Sequence, residues 1–200
     1  MNGPVLDNRL APAAIYEELA RLFEKFGDEQ YGEAITQREH MLQSAHMAEE
    51  RGESDAIVVA ALLHDVGHFF SPQTEELVSD GRPEQNFCHE VLGARFLESC
   101  FGPEVIVPIQ LHVAVKRYLC SVEEGYYESL SEASKHSLVL QGGPMTPAQV
   151  EKFSAGKHSD AAIGLRYCDD HGKQVGIDIP GLEYYRELII KMVNKDLRAA

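Results

Sequence analysis

Seven consecutive apolar residues, Ile57-Val58-Val59-Ala60-Ala61-Leu62-Leu63, run straight into His64-Asp65, with another histidine at His68. Ser54 and Asp55 precede the run as helix-capping residues, so it reads as a helix, and a helix apolar nearly all round belongs at the centre of a bundle. Polar side chains at the end of so central an element need a partner. Left unpaired, a buried imidazole or carboxylate costs roughly 2 kcal/mol or more. A metal ion is the obvious candidate.

The remaining sequence supplies helices to surround this one. Ile15, Leu19, Leu22, Phe23 and Phe26 fall at helical spacing within 11–27, and Gly27 is placed to end that helix in a left-handed cap. Thr36-x-x-Glu39 is a capping box opening a helix with His40 in its first turn. His89 begins another, with Val91, Leu92, Ala94, Phe96 and Leu97. Gly102-Pro103 starts a helix that Pro108 is expected to kink or restart, and that continues through Ile109, Leu111, His112, Val115 and Leu119. A short helix is expected around Tyr126 and Tyr127, then one from Ser131 to Leu140 closed by Gly142-Gly143-Pro144, one after Thr146-Pro147, one over Ala161–Cys168, and a last amphipathic helix after Pro180-Gly181. The stretch 71–86 lacks periodicity and reads as a loop long enough to serve as a lid. No stretch alternates with a strand period, and the fold class is all-α.

A chain of 200 residues with 44% hydrophobic and 25% charged residues fits one domain with a sizeable core. Its net charge of −14 is the wrong sign for a general partner of nucleic acid or of anionic membrane. No apolar run approaches the roughly 18 residues of a membrane span, and the N-terminus lacks the pattern of a signal peptide, so a cytoplasmic location is expected. Cys88, Cys100, Cys120 and Cys168 show no Cys-x-x-Cys pair and read as reduced thiols.

His40, His64, Asp65, His89 and His112 all lie in or at the ends of apolar helices, and helices packed in a bundle can aim such side chains into one interior site. A lone interior histidine such as His112 is more often a hydrogen-bonded core residue than a ligand; in this company the balance reverses. Imidazole and carboxylate donors together suit iron, manganese or zinc, and the missing cysteine pairs argue against a structural zinc site. Asp65 is the natural bridge between two ions, having two oxygens to offer. His46, His136, His158 and His171 have polar surroundings and read as surface residues.

His40, His64-Asp65, His89, His112 and a late Asp169 resemble the H…HD…H…H…D pattern of the HD-domain superfamily, mostly metal-dependent phosphohydrolases of helical fold. A closer resemblance covers nearly the whole chain. Gly32-Glu33-Ala34-Ile35, His64-Asp65-Val66-Gly67-His68, His112-Val113-Ala114-Val115-Lys116-Arg117-Tyr118-Leu119, Gln141-Gly142-Gly143-Pro144-Met145, and Arg166 three residues before Asp169 with Gly172-Lys173-Gln174 after it look like the PhnZ-type oxygenases. These are mixed-valent Fe(II)/Fe(III) di-iron enzymes that use O2 to cleave the C–P bond of 1-hydroxyalkylphosphonates. The resemblance implies a single HD-type domain over residues 1–200, an interior dinuclear site and two iron ions. One iron would take His40, His64 and Asp169, the other His89 and His112, with Asp65 bridging. It further implies that His68, Lys116, Ser134 and Arg166 contact the phosphonate, and that Asp65, His68 and Lys116 are catalytic. A dianionic phosphonate inside so acidic a protein needs localised cations, which agrees with Lys116 and Arg166.

The chain departs from that family at the substrate's other end. A family tyrosine three residues before the glutamate is here Gln30, and a tryptophan before the last aspartate is Cys168. Glu33 is kept, so a cationic head group is expected, and two smaller residues suggest a bulkier one. The expected substrate is 1-hydroxy-2-(trimethylamino)ethylphosphonate, the R enantiomer by resemblance, giving glycine betaine and phosphate. Glu33 would be its charge partner, and Tyr31 or Tyr167 an aromatic face. The same reaction on 2-amino-1-hydroxyethylphosphonate, and a phosphohydrolase using the same ligands with Mn²⁺, Mg²⁺ or Zn²⁺, remain as alternatives.

Overall fold

In the computed structural model, residues 4–30, 34–70, 86 and 88–194 are described, and among them the fold is all-helical. Helix α1 is Pro12–Phe26, α2 Gln37–Glu50, α3 Asp55–Leu63, α4 His89–Leu97 and α5 Pro103–Val122. They are followed by α6 Tyr126–Ser129, α7 Glu132–Leu140, α8 Pro147–Ser154, α9 Ser159–His171 and α10 Arg186–Met192. Five residues of 3-10 helix, Val66–Phe70, follow α3, and four more, Leu182–Tyr185, lead into α10. The suspected lid falls almost wholly outside the described residues.

Helix α3 is the axis. Every residue from Ile57 to Leu63 is buried, and α2, α5, α9 and α10 pack around it. Local chemistry sets its start and that of its neighbour: Ser54 accepts a hydrogen bond from Ile57 N, and Thr36 and Glu39 form the expected capping box of α2. Burying these side chains stabilises the bundle by roughly 1.5–3 kcal/mol for each large aliphatic one.

Apolar residues collect into two clusters, and their placement decides where the site lies. The larger joins α1–α5, α9 and α10; the smaller holds Val115, Leu119, Tyr126, Leu130, Leu138, Phe153 and Ala162. Helix α5 serves both, giving Val105, Ile106 and Ile109 to the first and Val115 and Leu119 to the second. Its buried polar residues His112 and Lys116 lie at the seam between them. Helix α9 does the same, with Leu165 and Cys168 on one side, Ala162 on the other, and Arg166 and Asp169 between.

Several expectations are corrected. Gly27 does not cap α1 in a left-handed conformation: its φ is −66°, and it is needed because α2 comes so close. A Cβ there would lie 2.9 Å from Arg38 Nε, and Arg38 N donates to Gly27 O at 2.8 Å. Pro108 does not restart α5, which continues as one helix of 20 residues. That helix is also long and apolar enough to cross a membrane by length and composition, contrary to the expectation that no such stretch exists, but one face of it is core. Gly142 and Gly143 do have positive φ, 97° and 68°, turning the chain after α7 so that Gly143 O accepts from Arg117 Nε at 2.7 Å. Of the four histidines read as surface residues, only His171 is fully exposed; His46, His136 and His158 are half-buried. All four stand apart from the clustered ligands.

Candidate metal centre

His40 lies in the first turn of α2, His64 caps the C-terminus of α3, His89 opens α4, and His112 and Asp169 project from α5 and α9. Asp65 follows His64 directly, where the chain leaves α3 for the 3-10 turn. Their Nε2 and carboxylate atoms converge at the seam. His40 Nε2 and His64 Nε2 are 3.2 Å apart, each 3.5 Å from Asp65 Oδ2. Asp169 Oδ1 lies 3.3 Å from His40 Nε2 and 3.9 Å from His64 Nε2. On the other side, His89 Nε2 and His112 Nε2 are 3.0 Å apart, at 3.3 and 3.7 Å from Asp65 Oδ1. The six expected ligands thus form two groups sharing Asp65, one group to each oxygen, and neighbouring ligands at about 2.1 Å from one ion stand about 3.0–3.4 Å apart.

The outer ring nitrogens show which way these imidazoles are set. His40 Nδ1 faces Gly172 O at 2.8 Å, His64 Nδ1 faces Ala61 O at 2.8 Å, and His112 Nδ1 faces Ile109 O at 2.7 Å. A nitrogen facing a carbonyl can only donate, so Nδ1 carries the proton and Nε2 turns its lone pair inward. The two inward lone pairs of His40 and His64, 3.2 Å apart, repel each other unless a cation lies between them. Electrostatics points the same way. Burial, then the neighbouring imidazoles, push His112 well below the usual histidine range, and burial lowers His64, so both are neutral donors. Burial opposes ionisation of Asp65 and Asp169, but histidines around the first and Arg166 and Lys173 around the second outweigh it and hold both carboxyls well below the usual range. For His40 burial acts downward, and Asp169 and Asp65 outweigh it, raising its pKa. The donor set fits two divalent or trivalent ions.

A cationic wall adjoins the Asp169 side. Lys116 is buried; its Nζ donates to Ser137 Oγ at 2.7 Å, and burial, then the Arg166 charge, lower its pKa to about 7. Lys173 Nζ donates to Ser134 Oγ at 3.1 Å and lies 3.8 Å from Asp169 Oδ1. Arg166 faces more than one way: it donates to Asp169 Oδ2 at 2.7 Å and through Nε to Asp170 Oδ2 at 3.1 Å, while Tyr126 OH also donates to Asp170. The guanidinium therefore orients Asp169, the carboxylate that meets the histidines, while Asp170 braces the guanidinium. His68 stacks on the His89 ring at 4.0 Å, and burial, then the His89 charge, hold it neutral with a pKa near 3.

Ser137, Lys173, Asp170 and Tyr126 join this wall although none of them was assigned a role in the site from sequence. Lys173 had a usable signal, four residues after Asp169 and two past the end of α9; Tyr126 had none. Tyr31 and Glu33 lie outside the described residues. Tyr167 is engaged elsewhere, its hydroxyl donating to Glu123 Oε2 at 2.6 Å and its ring covered by Arg51 at 5.7 Å. Cys168 is packed into the main core, so a smaller residue at that position removes bulk from the core.

The HD domain family matches residues 38–124, which carry five of the six clustered ligands. A [1-hydroxy-2-(trimethylamino)ethyl]phosphonate dioxygenase (glycine-betaine-forming) of Leisingera caerulea is 39% identical over 193 residues, 96% of this chain and 97% of that protein. A hydroxymethylphosphonate dioxygenase of Gimesia maris is also 39% identical, over 181 residues, 90% of this chain and 89% of its own. An uncharacterized protein of Acanthamoeba polyphaga mimivirus, L432, is 34% identical over 88% of this chain and 81% of its own. With its all-helical bundle, paired histidine groups and near end-to-end likeness to two such enzymes, the chain belongs to the HD-domain phosphonate dioxygenase family.

Proposed function

We propose that this protein is a di-iron oxygenase that cleaves the C–P bond of (R)-1-hydroxy-2-(trimethylamino)ethylphosphonate, releasing glycine betaine and phosphate. The observation that carries the phosphonate assignment is the wall of buried Lys116 and Ser134 with half-buried Lys173 and Ser137 against Asp169, a cationic patch inside a chain of net charge −14. With Asp169 shared between these cations and the metal, a further anion beside Lys116 and Lys173 would balance their charge. A phosphonate dianion beside the ions would do so.

The ligands would divide as His40, His64 and Asp169 for one iron and His89 and His112 for the other, with Asp65 joining them. A ferrous–ferric pair would supply the dioxygen chemistry that hydrolysis cannot replace, since a C–P bond has no easy hydrolytic leaving path. The chain's own groups bind and orient. Lys116 and Lys173 neutralise the phosphonate, Ser134 and the neutral His68 donate hydrogen bonds to its oxygens, and Arg166 adds charge while keeping Asp169 turned toward the iron. Burial of the seam keeps water from the reacting carbon. The substrate's CH(OH)–PO3²⁻ centre and O2 become a carboxylate, HPO4²⁻ and one proton: the C–P bond breaks, carbon is oxidised and both dioxygen atoms end in the products.

The trimethylammonium head rests on the retained Glu33, on the smaller residue at Gln30 and on the Leisingera relative. The Gimesia relative, equally similar and acting on a phosphonate without a head group, favours a second reading, hydroxymethylphosphonate. Iron-loaded protein should be supplied in turn with the trimethyl compound, 2-amino-1-hydroxyethylphosphonate and hydroxymethylphosphonate, with O2 uptake and phosphate release followed together. One O2 consumed per phosphate, and the highest kcat/KM with the trimethyl compound, is expected. Preference for either of the others rejects the head-group assignment, and phosphate release without O2 uptake rejects the oxygenase.

A further inference from the structure

Gln43, on the buried face of α2, has no part in the chemistry above, yet both ends of its amide are engaged. Its Nε2 donates to Gln174 O at 2.8 Å and its Oε1 accepts from Gln174 N at 2.8 Å. Both main-chain groups of one residue, 131 positions along the chain, are thus bound by one side chain, as a neighbouring β-strand would bind them. The amide's orientation is fixed by chemistry, because a backbone N–H can only donate and a carbonyl only accept.

The clamped residue belongs to a short segment that touches the first metal position twice. Gly172 O, two residues before Gln174, accepts from His40 Nδ1 at 2.8 Å and so sets the tautomer and plane of that ring. Lys173, between them, reaches Ser134 Oγ at 3.1 Å and lies 3.8 Å from Asp169 Oδ1. The segment also presses on α2. A Cβ on Gly172 would lie 2.6 Å from Ser44 Oγ and 2.9 Å from Ser44 N. His64 and His112 need no such help, since carbonyls three residues back in their own chain segments orient them.

We infer that Gln43 is a positioning residue: by clamping Gln174 it holds the Gly172 carbonyl that orients His40 and the lysine that faces the anion, so that it governs the first metal position and leaves the second alone. The inference rests on the dinuclear reading of the site and does not depend on the identity of the substrate's head group. A partner of a ligand's partner acts through geometry, and loss of such an outer contact typically costs about 10–100-fold in metal affinity.

The test is anaerobic titration of the metal-free protein with Fe(II), with bound iron counted after gel filtration. Wild type should hold two ions per chain; fewer overturns the dinuclear reading itself. Gln43→Met, similar in size and lacking both hydrogen bonds, should weaken one of the two ions by about 10–100-fold. His112→Ala should keep one ion, and the Gln43→Met/His112→Ala double variant should keep none at iron concentrations that fill wild type. Gly172→Ala, whose added Cβ meets Ser44 and so pushes the same segment away from α2, should repeat the selective loss. A merely structural role predicts a lower thermal midpoint of the metal-free protein with both ions weakened alike. That result, or wild-type filling of both positions, overturns the inference. Should Gln43→Met fail to fold, Gln43→Glu, which keeps the acceptor and loses the donor, is read by the same criterion.

Discussion

Lys116 shows what a single residue contributes when the protein removes it from water. With burial lowering its pKa to about 7 from an ordinary 10.5, the ammonium proposed to anchor the phosphonate is lost as pH rises through neutrality. For a cation the charged form lies below the pKa, so kcat/KM for phosphate release should fall as pH rises past about 7. Lys116→Arg, which stays charged, should flatten that fall; a fall that persists unchanged would exclude Lys116 as its source. Lys116→Ala should raise KM about 10–100-fold, the worth of a charged hydrogen bond. The sign for stability is opposite: between about 7 and 10.5 the unfolded chain holds the extra proton, so this residue makes folding more favourable as pH rises across that window. At this scale the sequence was informative wherever a polar residue interrupted a helical apolar pattern, which marks His40, His64, Asp65, His89 and His112. It could not separate Asp169 from Asp170 by spacing alone, and the resemblance chose the first. The structure gives the physical difference: Asp169 meets His40, and Asp170 meets Tyr126 and Arg166. Gln43 and Lys173 depend on contacts that no local periodicity encodes.

Among the elements, the junction between the 3-10 turn and α4 is the most demanding. A Cβ on Gly67 would lie 1.9 Å from His89 O and 2.8 Å from Gly93 N, both backbone atoms that cannot swing aside. Gly67→Ala must therefore displace α4 and the histidine that opens it. It should lower stability by about 1–3 kcal/mol by denaturant unfolding, and bound iron should drop from two ions toward one because His89 moves. The use of this glycine is close approach, as at Gly27, which sequence does not show because spacing along one segment says nothing of what packs across it. Cys88, just before α4, has φ 52° and ψ 47°, a left-handed conformation costly for a residue with a side chain. Cys88→Gly should leave stability equal or raise it by up to about 1 kcal/mol, whereas the β-branched Cys88→Val should lower it by more than about 1 kcal/mol; thermal midpoints would show both.

For the whole molecule, the centre gathers side chains from α2, α3 and the residue after it, α4, α5 and α9, and lies where two apolar clusters meet on α5 and α9. Ions bound there stabilise only the folded chain, by about 2.7 kcal/mol each at a hundredfold excess over the dissociation constant. Stripping iron with a chelator should lower the thermal midpoint by roughly 5–15 °C, and adding iron back should restore it. A midpoint that ignores chelation would mean the bundle holds its shape without the centre. The all-helical class followed from the apolar run of α3 and the helical spacing of its neighbours, whereas the two-cluster division did not, since the apolar spacing of α5 does not say which neighbours each of its residues meets. The partition of ligands along the chain has one further consequence. Asp65, His89 and His112 have all been made by residue 112, while the other position waits for Asp169 and the carbonyl of Gly172. The order of synthesis is thus the order in which the two positions become complete, and a chain stopped at residue 168 would possess one of them whole and the other only in part.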